Sequence, residues 1–363
     1  MAEPGARADA EAVAAGAGRL GKERPNLAIS EADVRAAAER IAGAVHVTPV
    51  FTCSSIDALA GTGVKLHFKA ETFQKSGSFK VRGAVNAVRS LSDADAAVGI
   101  CAHSSGNHAA AVAYAALLRG VPAHIVVPTN TPRVKTAAVE AYGGTLYFCE
   151  PTMDAREAEC SRIQAETGAA FVHPYNDPRV MAGQGTIALE FLQQVPQLDA
   201  IVVPISGGGM ISGIATVAKA RRSGLRVIAA EPVGVNDAAD TAASKTAGRL
   251  VPCPRPATVA DGLQGRLGSN TWPVVRELVD AVVTVTEEEI VDAMRLLFTR
   301  AKLVVEPSGA VGLAAVLRAS RAARDGGGGA LAGCANIGIV LCGGNADMEA
   351  KGFFDMEHWP PGT

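Results

Sequence analysis

The chain has 363 residues, of which 48% are hydrophobic and 19% are charged, and its formal net charge is −2. This length predicts one large or two medium domains with a sizeable core, and the composition is not that of a disordered protein. A nearly neutral chain lacks the basic surface that binds nucleic acid, so we expect a small-molecule partner and no nucleic acid.

The termini and the cysteines bear on the cellular location. The first 29 residues are rich in Ala, Gly, Glu and Arg without the apolar core of a secretory signal, which predicts a disordered tail at 1–29. No apolar stretch approaches the roughly 20 residues that a membrane span needs, so we expect no membrane. Seven cysteines, none in a CxxC pair, favour free thiols in a reducing compartment, and the predicted location is the cytoplasm.

Taken in chain order, the elements alternate between strand and helix. The first helix is predicted to begin after Ser30, an N-cap with Asp33 three residues on. The predicted strands are 98–102, 124–127, 146–149, 201–205, 227–230, 281–285 and 337–341, and the predicted helices include 107–118, 132–142, 154–167 and 183–194. Most of these strands lack polar alternation, as parallel strands buried on both faces do. The pattern predicts an α/β fold with helices on both sides of the sheet.

The run ETFQKSGSFK at 71–80 places small residues before Lys80. They let the backbone bend and bring the lysine amine close to a ligand. A lysine in an apolar pocket has a lowered pKa and can form a Schiff base. A surface lysine after a turn is the more common interpretation of such a residue taken alone.

The run SSGNH at 104–108 lies between the strand predicted at 98–102 and an Ala-rich helix. Backbone N–H groups at a helix N-terminus bind anions, and the flanking hydroxyls add donors. This arrangement would suit a substrate carboxylate. A serine that merely caps the helix is the alternative.

The run PISGGGMISG at 204–213 follows a predicted strand. Consecutive glycines let backbone amides surround a phosphate. The GxGxxG spacing of a dinucleotide site fails, because Ser212 stands at the third glycine position counted from Gly207 and Met210 at the middle one counted from Gly208. A single phosphate fits better, which disfavours a Rossmann-type nicotinamide oxidoreductase.

A fourth run, LCGGN at 341–345, follows the last predicted strand and is weak on its own. Together, the four runs resemble fold-type-II pyridoxal phosphate (PLP) enzymes, and within them the family of serine racemases and serine/threonine dehydratases. The family's further motifs are present as HVTPV at 46–50, ADG at 260–262 and VEPSG at 305–309. The resemblance extends from about residue 30 to residue 347.

The resemblance implies an architecture like that of tryptophan synthase β, in which two α/β domains with parallel sheets hold the cofactor in the cleft between them. We expect a large PLP-binding domain at 30–97 and 175–350, a small domain at 98–174 and a C-terminal tail at 351–363. The resemblance also implies a homodimer.

The resemblance further implies roles for single residues. Lys80 would carry PLP and act as base on one face of the bound amino acid, and Ser105 would be the acid/base group on the opposite face. Asn107 would contact the 3′ oxygen of the cofactor, and Phe79 its ring. The phosphate would be held by Ser206, Gly207, Gly208, Gly209 and Met210. The substrate carboxylate or hydroxyl would be oriented by Ser104, Ser105, His108 and Arg156.

Cys342 stands where the family generally has a serine that contacts the pyridine nitrogen of PLP. A thiol is a weak donor and acceptor, so it should leave that nitrogen largely unprotonated. A buried small residue without a role is the alternative.

Two further sites are implied by the resemblance. The run EPVGVND at 231–237 resembles a divalent-cation loop, in which Glu231, the carbonyl of Val235 and Asp237 would bind Mg²⁺ or Ca²⁺. A solvated acidic loop is the alternative. An ATP effector site at the subunit interface would use Lys75, Ser76, Tyr142, Lys302 and Asn345. Ala110 replaces a glutamine of that site, which weakens the prediction of ATP regulation.

The function implied is racemisation of L- and D-serine, together with the conversion of serine to pyruvate and ammonia. The nearest alternative is an L-threonine/L-serine dehydratase with little racemase activity, and Ser105 discriminates between the two because elimination needs no base on that face. A PLP-binding protein without catalysis is a further alternative.

Overall fold

The structure, a computed structural model, describes residues 27–104, 106–324, 326 and 329–347. The predicted tails at 1–26 and 351–363 and the predicted catalytic residue Ser105 lie outside these ranges. Residues 27–29 were expected to belong to the tail, but Ile29 is only 5% exposed and packs with Val34. Ile29, which precedes the cap at Ser30, is therefore part of the core.

The strands of the described ranges form two sheets. They are β1 Val50–Phe51, β2 Lys65–Ala70, β3 Ile100–His103, β4 Ala123–Pro128, β5 Thr145–Cys149, β6 Ala170–Phe171, β7 Ala200–Pro204, β8 Arg226–Pro232, β9 Ala281–Val285 and β10 Asn336–Leu341. A six-stranded sheet has the order β1-β2-β10-β7-β8-β9, and a four-stranded sheet has the order β5-β4-β3-β6. Neighbouring strands are parallel except β1 and β2, which are antiparallel.

The α-helices of the same ranges lie between and around the strands. They are α1 Glu31–Ile41, α2 Ser54–Ala60, α3 Lys80–Arg89, α4 Asp93–Ala97, α5 Asn107–Arg119, α6 Arg133–Ala141, α7 Met153–Thr167, α8 Pro178–Gln194, α9 Gly209–Arg221, α10 Asp240–Ala247, α11 Thr271–Leu278, α12 Glu287–Leu296 and α13 Pro307–Arg324. Among the residues described, no helix has the length and apolar character needed to cross a membrane.

The predicted elements are confirmed with small shifts. Every predicted strand has an observed counterpart whose ends lie within two residues of the prediction. Ser30 caps α1, because its hydroxyl accepts from the Asp33 N–H at 3.3 Å and the Asp33 carboxylate accepts from the Ser30 N–H at 2.7 Å. Helix α8 begins five residues earlier than predicted, at Pro178, because Asp177 caps it by accepting from the Arg179 N–H at 2.8 Å.

The six-stranded sheet is covered by helices on both faces. Residues such as Val202, Ile228 and Ile339 pack against α2, α12 and α13, and their chain neighbours Ile201 and Val227 pack against α8, α9 and α11. Successive residues of a strand point to opposite faces, so both sets are apolar when both faces are covered. This confirms the predicted α/β class.

The four-stranded sheet has its own core. Ile100 and Ile125 pack with Val112 of α5 and with Val81 and Val85 of α3. Its strands all lie between residues 100 and 171, inside the predicted small domain at 98–174. Helix α3 lies outside that range in sequence yet packs on the smaller sheet. The domain limits stay a prediction.

Three of the four motif-bearing runs of the sequence lie in loops at the carboxyl ends of strands. The run at 104–108 follows β3, the glycine run at 206–210 follows β7, and the run at 342–345 follows β10. In open α/β sheets, ligands bind in the crevice outside these strand ends.

Candidate active site

Lys80 is the first residue of α3. Its Nζ donates a hydrogen bond to the Pro174 carbonyl oxygen at 2.9 Å and lies 5.2 Å from the centroid of the Phe79 ring. Burial of the ammonium lowers the pKa of Lys80 to about 8, because the charged form loses its hydration. An amine with such a pKa is partly neutral near physiological pH and can act as a nucleophile or base.

The glycine loop joins β7 to α9, which begins at Gly209. Gly208 has φ +86°, a conformation that side chains other than glycine rarely adopt. A Cβ on Gly207 would lie 2.3 Å from the Tyr175 ring, and a Cβ on Gly209 would lie 2.8 Å from the Tyr175 carbonyl oxygen. The first N–H groups of a helix have no partner within it, so the start of α9 suits a phosphate. Met210 is the second residue of this helix.

Hydrogen bonds hold the glycine loop in place. The Thr271 hydroxyl donates to the Gly207 carbonyl at 2.7 Å, and the Ser206 hydroxyl accepts from the Gly265 N–H at 2.8 Å. Both contacts come from residues far along the chain. The loop is therefore rigid before any ligand binds, which lowers the entropic cost of holding a phosphate.

Asn107 begins α5 and connects it with two other segments. Its Nδ2 donates to Glu306 Oε1 at 2.7 Å, and its Oδ1 accepts from Asn345 Nδ2 at 2.8 Å. Asn345 Nδ2 also donates to the Ser76 carbonyl at 2.8 Å. The run that begins with Cys342 is tied to the lysine segment, since the Phe79 N–H donates to the Cys342 carbonyl at 3.0 Å. Asn107, Cys342 and Lys80 thus belong to one site.

Two buried acidic groups lie beside the lysine. Burial raises the pKa of the Cys342 thiol well above its ordinary value, so the thiol stays neutral. Burial also raises the pKa of Glu306 to about 7. Sequence reasoning noted the motif that contains Glu306 but assigned this residue no role. The available signal was a carboxylate directly after the apolar residues 303–305.

Of the residues predicted to hold the substrate, Ser104 follows β3, His108 belongs to α5 and Arg156 belongs to α7. Ser104 Oγ accepts from the Gly106 N–H at 3.2 Å, and His108 Nε2 donates to the Val172 carbonyl at 2.9 Å. Burial lowers the pKa of His108 well below its usual range, so the ring is neutral. His108 Nδ1 and Arg156 Nε are buried without a hydrogen-bond partner among the described residues. Buried polar atoms normally have partners, and a bound ligand would supply them.

The predicted metal residues occupy the end of β8 and the loop after it. Glu231 is 3% exposed, and its two carboxylate oxygens accept from the Thr241 and Ala242 N–H groups at 2.8 and 2.9 Å. Val235 and Asp237 are exposed. Within the described ranges, no three His, Cys, Asp or Glu side chains are grouped to hold a metal. The predicted set contains only two such side chains, so it stays a prediction.

Two of the predicted nucleotide residues and one residue of the predicted metal loop have a positive φ. In the part of the chain that the structure describes, the non-glycine residues with positive φ are Ser76 at 58°, Asp237 at 50° and Lys302 at 60°. All three belong to predicted sites. Residues held in sparsely populated conformations cluster at functional sites. Exposed Lys75 precedes Ser76, which Asn345 contacts through its carbonyl.

Tyr142, another residue of the predicted nucleotide site, lies near α5. Tyr142 follows α6, and its ring centroid is 5.3 Å from that of Tyr114 on α5. Ala110 is buried on the same helix, 6% exposed. The structure does not bring Tyr142 into hydrogen-bond contact with the other members of the predicted set.

Comparison with known families identifies the class of enzyme. The family model described as pyridoxal-phosphate dependent enzyme matches residues 41–343, which include Lys80, Asn107, the glycine loop and Cys342. The chain belongs to this family, and the predicted fold type II is confirmed. This membership excludes the nicotinamide oxidoreductase that was considered as an alternative.

Individual relatives show which members of this enzyme family the chain resembles. The chain is 50% identical to the serine racemase of Arabidopsis thaliana over 90% of its own length and 96% of that protein. It is 48% identical to the solved structure of maize serine racemase, with a TM-score of 0.84 over 88% of this chain and 95% of that one. It is also 46% identical to the β-hydroxyaspartate dehydratase of Paracoccus denitrificans, over 87% of this chain and 96% of that protein. These identities confirm the resemblance to serine racemases and dehydratases.

The described residues fit PLP. The cofactor requires a lysine amine and a phosphate site, and Lys80 and the glycine loop at 206–210 offer both. A side chain on Gly207 or Gly209 would collide with Tyr175, so the loop is built of glycine for a structural reason. Hydrogen bonds also bring Cys342 next to the lysine segment and link Asn107 to Asn345 of the run that follows Cys342.

Proposed function

We propose that this chain interconverts L- and D-serine and also converts serine to pyruvate and ammonia. The observation that carries the proposal is the buried Lys80 amine, whose pKa is about 8, in one site with a glycine loop suited to phosphate. The extensive similarity to serine racemases supports the choice of serine as substrate.

The proposed chemistry divides between the cofactor and the chain. PLP, when bound, supplies an electron sink that stabilises negative charge on the α-carbon of the amino acid. Lys80 takes or returns the α-proton on one face, and Ser105 does so on the opposite face. If the β-hydroxyl leaves after the same proton removal, serine loses water. Hydrolysis of the dehydrated product then gives pyruvate and ammonia.

The remaining residues bind and orient. The phosphate would be held by Ser206, Gly207, Gly208, Gly209 and Met210. Phe79, Asn107 and Cys342 would hold the ring, and a neutral thiol would leave the pyridine nitrogen without a protonating partner. Ser104, His108 and Arg156 orient the substrate, and this role is supported by the buried polar atoms of His108 and Arg156 that lack protein partners.

An L-threonine/L-serine dehydratase with little racemase activity is the second candidate. The 46% identity to a β-hydroxyaspartate dehydratase favours this candidate. Elimination and racemisation share the first proton transfer, so one arrangement of residues can serve either reaction. The two candidates differ in the need for Ser105. A racemase requires proton delivery on both faces of the α-carbon, and a dehydratase requires only one.

A divalent cation, Mg²⁺ or Ca²⁺, is proposed to bind Glu231, the Val235 carbonyl and Asp237. Burial raises the pKa of Glu231 to about 7, and a cation would compensate the buried carboxylate. Each carboxylate oxygen keeps a lone pair after it accepts one N–H, so the helix contacts do not exclude a metal. The positive φ of Asp237 also supports a functional loop.

An ATP effector site is proposed at Lys75, Ser76, Tyr142, Lys302 and Asn345. It is supported by the positive φ of Ser76 and Lys302. The hydrogen bonds from Asn345 to Ser76 and to Asn107 would connect a bound nucleotide with the cofactor site. Ala110 lacks the polar atoms of a glutamine, so we propose a weak site.

We further propose that the chain forms a homodimer in the cytoplasm. Phe51 and Phe73 are 37% and 50% exposed with ring centroids 5.7 Å apart, and Val304, whose carbonyl accepts from the Thr72 hydroxyl, is 42% exposed. Such an apolar patch suits an interface between subunits. All seven cysteines are free, which supports a reducing compartment. We also propose that residues 98–174 form the small domain, as the sequence predicts.

The test is turnover of L-serine by the purified chain saturated with PLP. D-serine is measured by chiral chromatography and pyruvate by a coupled dehydrogenase assay. We expect both products from one preparation. Pyruvate without D-serine would favour the dehydratase, and neither product would contradict both candidates.

A further inference from the structure

Residues 172–176 connect β6 of the smaller sheet to α8, and successive residues contact different parts of the site. The Val172 carbonyl accepts from His108 Nε2 at 2.9 Å, and the Pro174 carbonyl accepts from Lys80 Nζ at 2.9 Å. The Tyr175 ring lies directly against Gly207. The shape of this short segment therefore determines where the reactive amine finds its acceptor.

Both ends of the segment are anchored. The Val172 N–H donates to the Cys101 carbonyl at 2.9 Å, as an extension of the pairing of β6 with β3. Asn176 Oδ1 accepts from the Asn270 N–H at 2.8 Å, and the Asn176 carbonyl accepts from Asn270 Nδ2 at 2.9 Å. The anchors leave the middle of the segment, around Pro174, to be fixed by other contacts.

His173 provides those contacts. Its Nδ1 accepts from the Tyr175 N–H at 3.2 Å and from the Asn176 N–H at 2.9 Å. Two donors that converge on Nδ1 require this nitrogen to be unprotonated, so the ring is neutral with its proton on Nε2. Burial lowers the pKa of His173 to about 4, in agreement with that geometry. The ring thus closes a turn around Pro174.

We propose that His173 is a positioning residue for Lys80. By closing the turn, it directs the Pro174 carbonyl at Lys80 Nζ and holds the lysine amine in one orientation whenever that amine is free. The carbonyl also favours the protonated amine and so opposes the effect of burial on the pKa of Lys80. The inference rests on Lys80 as the reactive lysine of the proposed function, but not on which reaction it performs.

The test uses the cofactor-free protein and three variants, His173→Asn, His173→Gln and His173→Leu. Lysines are acetylated with acetic anhydride over a pH series, and the modification of each lysine is quantified by peptide mass spectrometry. The Asn side chain places its oxygen near the position of Nδ1, whereas the Gln and Leu side chains place no acceptor there. Lys219, which pairs with Asp280 at 2.7 Å away from the site, is the internal reference.

We expect the labelling midpoint of Lys80 to fall by about one pH unit in the Gln and Leu variants, because a hydrogen bond to a charged group is lost. The Asn variant should keep the wild-type midpoint, and Lys219 should be unchanged throughout. His124→Leu is a matched control, since His124 is a histidine of β4 in the smaller sheet whose Nδ1 contacts the Tyr147 hydroxyl at 3.0 Å. It should leave the midpoint of Lys80 unchanged.

An unchanged Lys80 midpoint in the Gln variant would overturn the proposal, and so would equal shifts in the Asn and Gln variants. The comparison of these two polar variants suffices if the Leu variant does not fold. Because the labelling uses no substrate and no cofactor, a wild-type protein inactive on serine would refute the proposed function and leave this result standing.

Discussion

At the scale of single residues, Lys80 shows how an ordinary side chain becomes reactive. Its motif could be predicted from the sequence, because small residues before a lysine form a local pattern. Its lowered pKa and its acceptor could not, since both depend on burial and on Pro174, a residue 94 positions away. Glu306 was missed for the same reason, because its partner Asn107 is 199 positions away.

Burial of Lys80 should cost stability in a pH-dependent way. The pKa is about 8 in the folded state and about 10.4 in an unfolded chain, so the unfolded chain binds more protons between these values and stability rises with pH there. We expect Lys80→Met to stabilise the cofactor-free protein by about 1 to 3 kcal/mol near neutral pH, and less above about pH 10. Urea unfolding of the wild type and the variant near pH 7 and above about pH 10 measures this change in the free energy of unfolding. A difference between the two proteins that does not depend on pH would argue against a lowered pKa of Lys80.

Ser105 lies outside the described residues, and kinetics can test its role. In Ser105→Ala, racemisation of L-serine should fall by about 10²- to 10⁴-fold, the usual contribution of an acid/base group, whereas pyruvate formation from L-serine should fall much less. Elimination from D-serine should be lost, because its α-proton faces Ser105. The products of each enantiomer are measured for mutant and wild type. Equal losses in all four rates would mean that Ser105 only positions the substrate.

At the scale of elements, apolar runs predicted the strands that contain them, whereas the two-residue strands β1 and β6 were missed, and so was β2. Its residues Lys65, His67 and Lys69 alternate with apolar ones and do not form such a run. Lys69 is nonetheless fully buried. The cost of burying its charge is offset because its Nζ pairs with Glu190 Oε2 at 2.6 Å and donates to the Thr48 carbonyl at 2.8 Å. A buried ion pair satisfies a charge in a way that no local pattern predicts.

The same ion network fixes helix α3, which carries Lys80. Arg82 contacts Glu190 at 2.6 Å and Glu71 at 2.7 Å, with its side chain fully buried. We expect Glu190→Ala to destabilise the fold by about 3 to 5 kcal/mol, because it removes the carboxylate that the buried cations Lys69 and Arg82 share. The control Glu166→Ala removes an exposed helix pair with Arg162 and should cost about 0.5 kcal/mol or less. Similar losses of free energy of unfolding in the two variants would contradict a structural role for the network.

The loop after β8 offers a second test at this scale. If Glu231, the Val235 carbonyl and Asp237 bind a cation, a chelator should lower the melting temperature and Mg²⁺ should restore it, because a ligand of the native state stabilises it. Asp237→Asn should weaken the restoration. An unchanged melting temperature in protein verified as metal-free by elemental analysis would remove the metal from the account.

At the scale of the whole molecule, the alternation of strands and helices was enough to predict the class of fold. The partner of α3 was not predictable, because Val81 and Val85 would suit either sheet and tertiary packing places them on the smaller one. As a result, the reactive lysine begins a helix of the smaller core, while the glycine loop belongs to the larger sheet. The site lies where the two meet, and residues 172–176 cross between them.

The whole proposed function depends on Lys80 as the residue that carries PLP in a serine-converting enzyme. The most direct measurement is borohydride reduction of the purified holoenzyme, followed by mass spectrometry of its peptides and by assays of D-serine and pyruvate, with Lys80→Ala in parallel. We expect a pyridoxyl adduct on the Lys80 peptide of the wild type, and neither adduct nor product in the variant. An adduct on another lysine, or turnover of L-serine by Lys80→Ala, would contradict it.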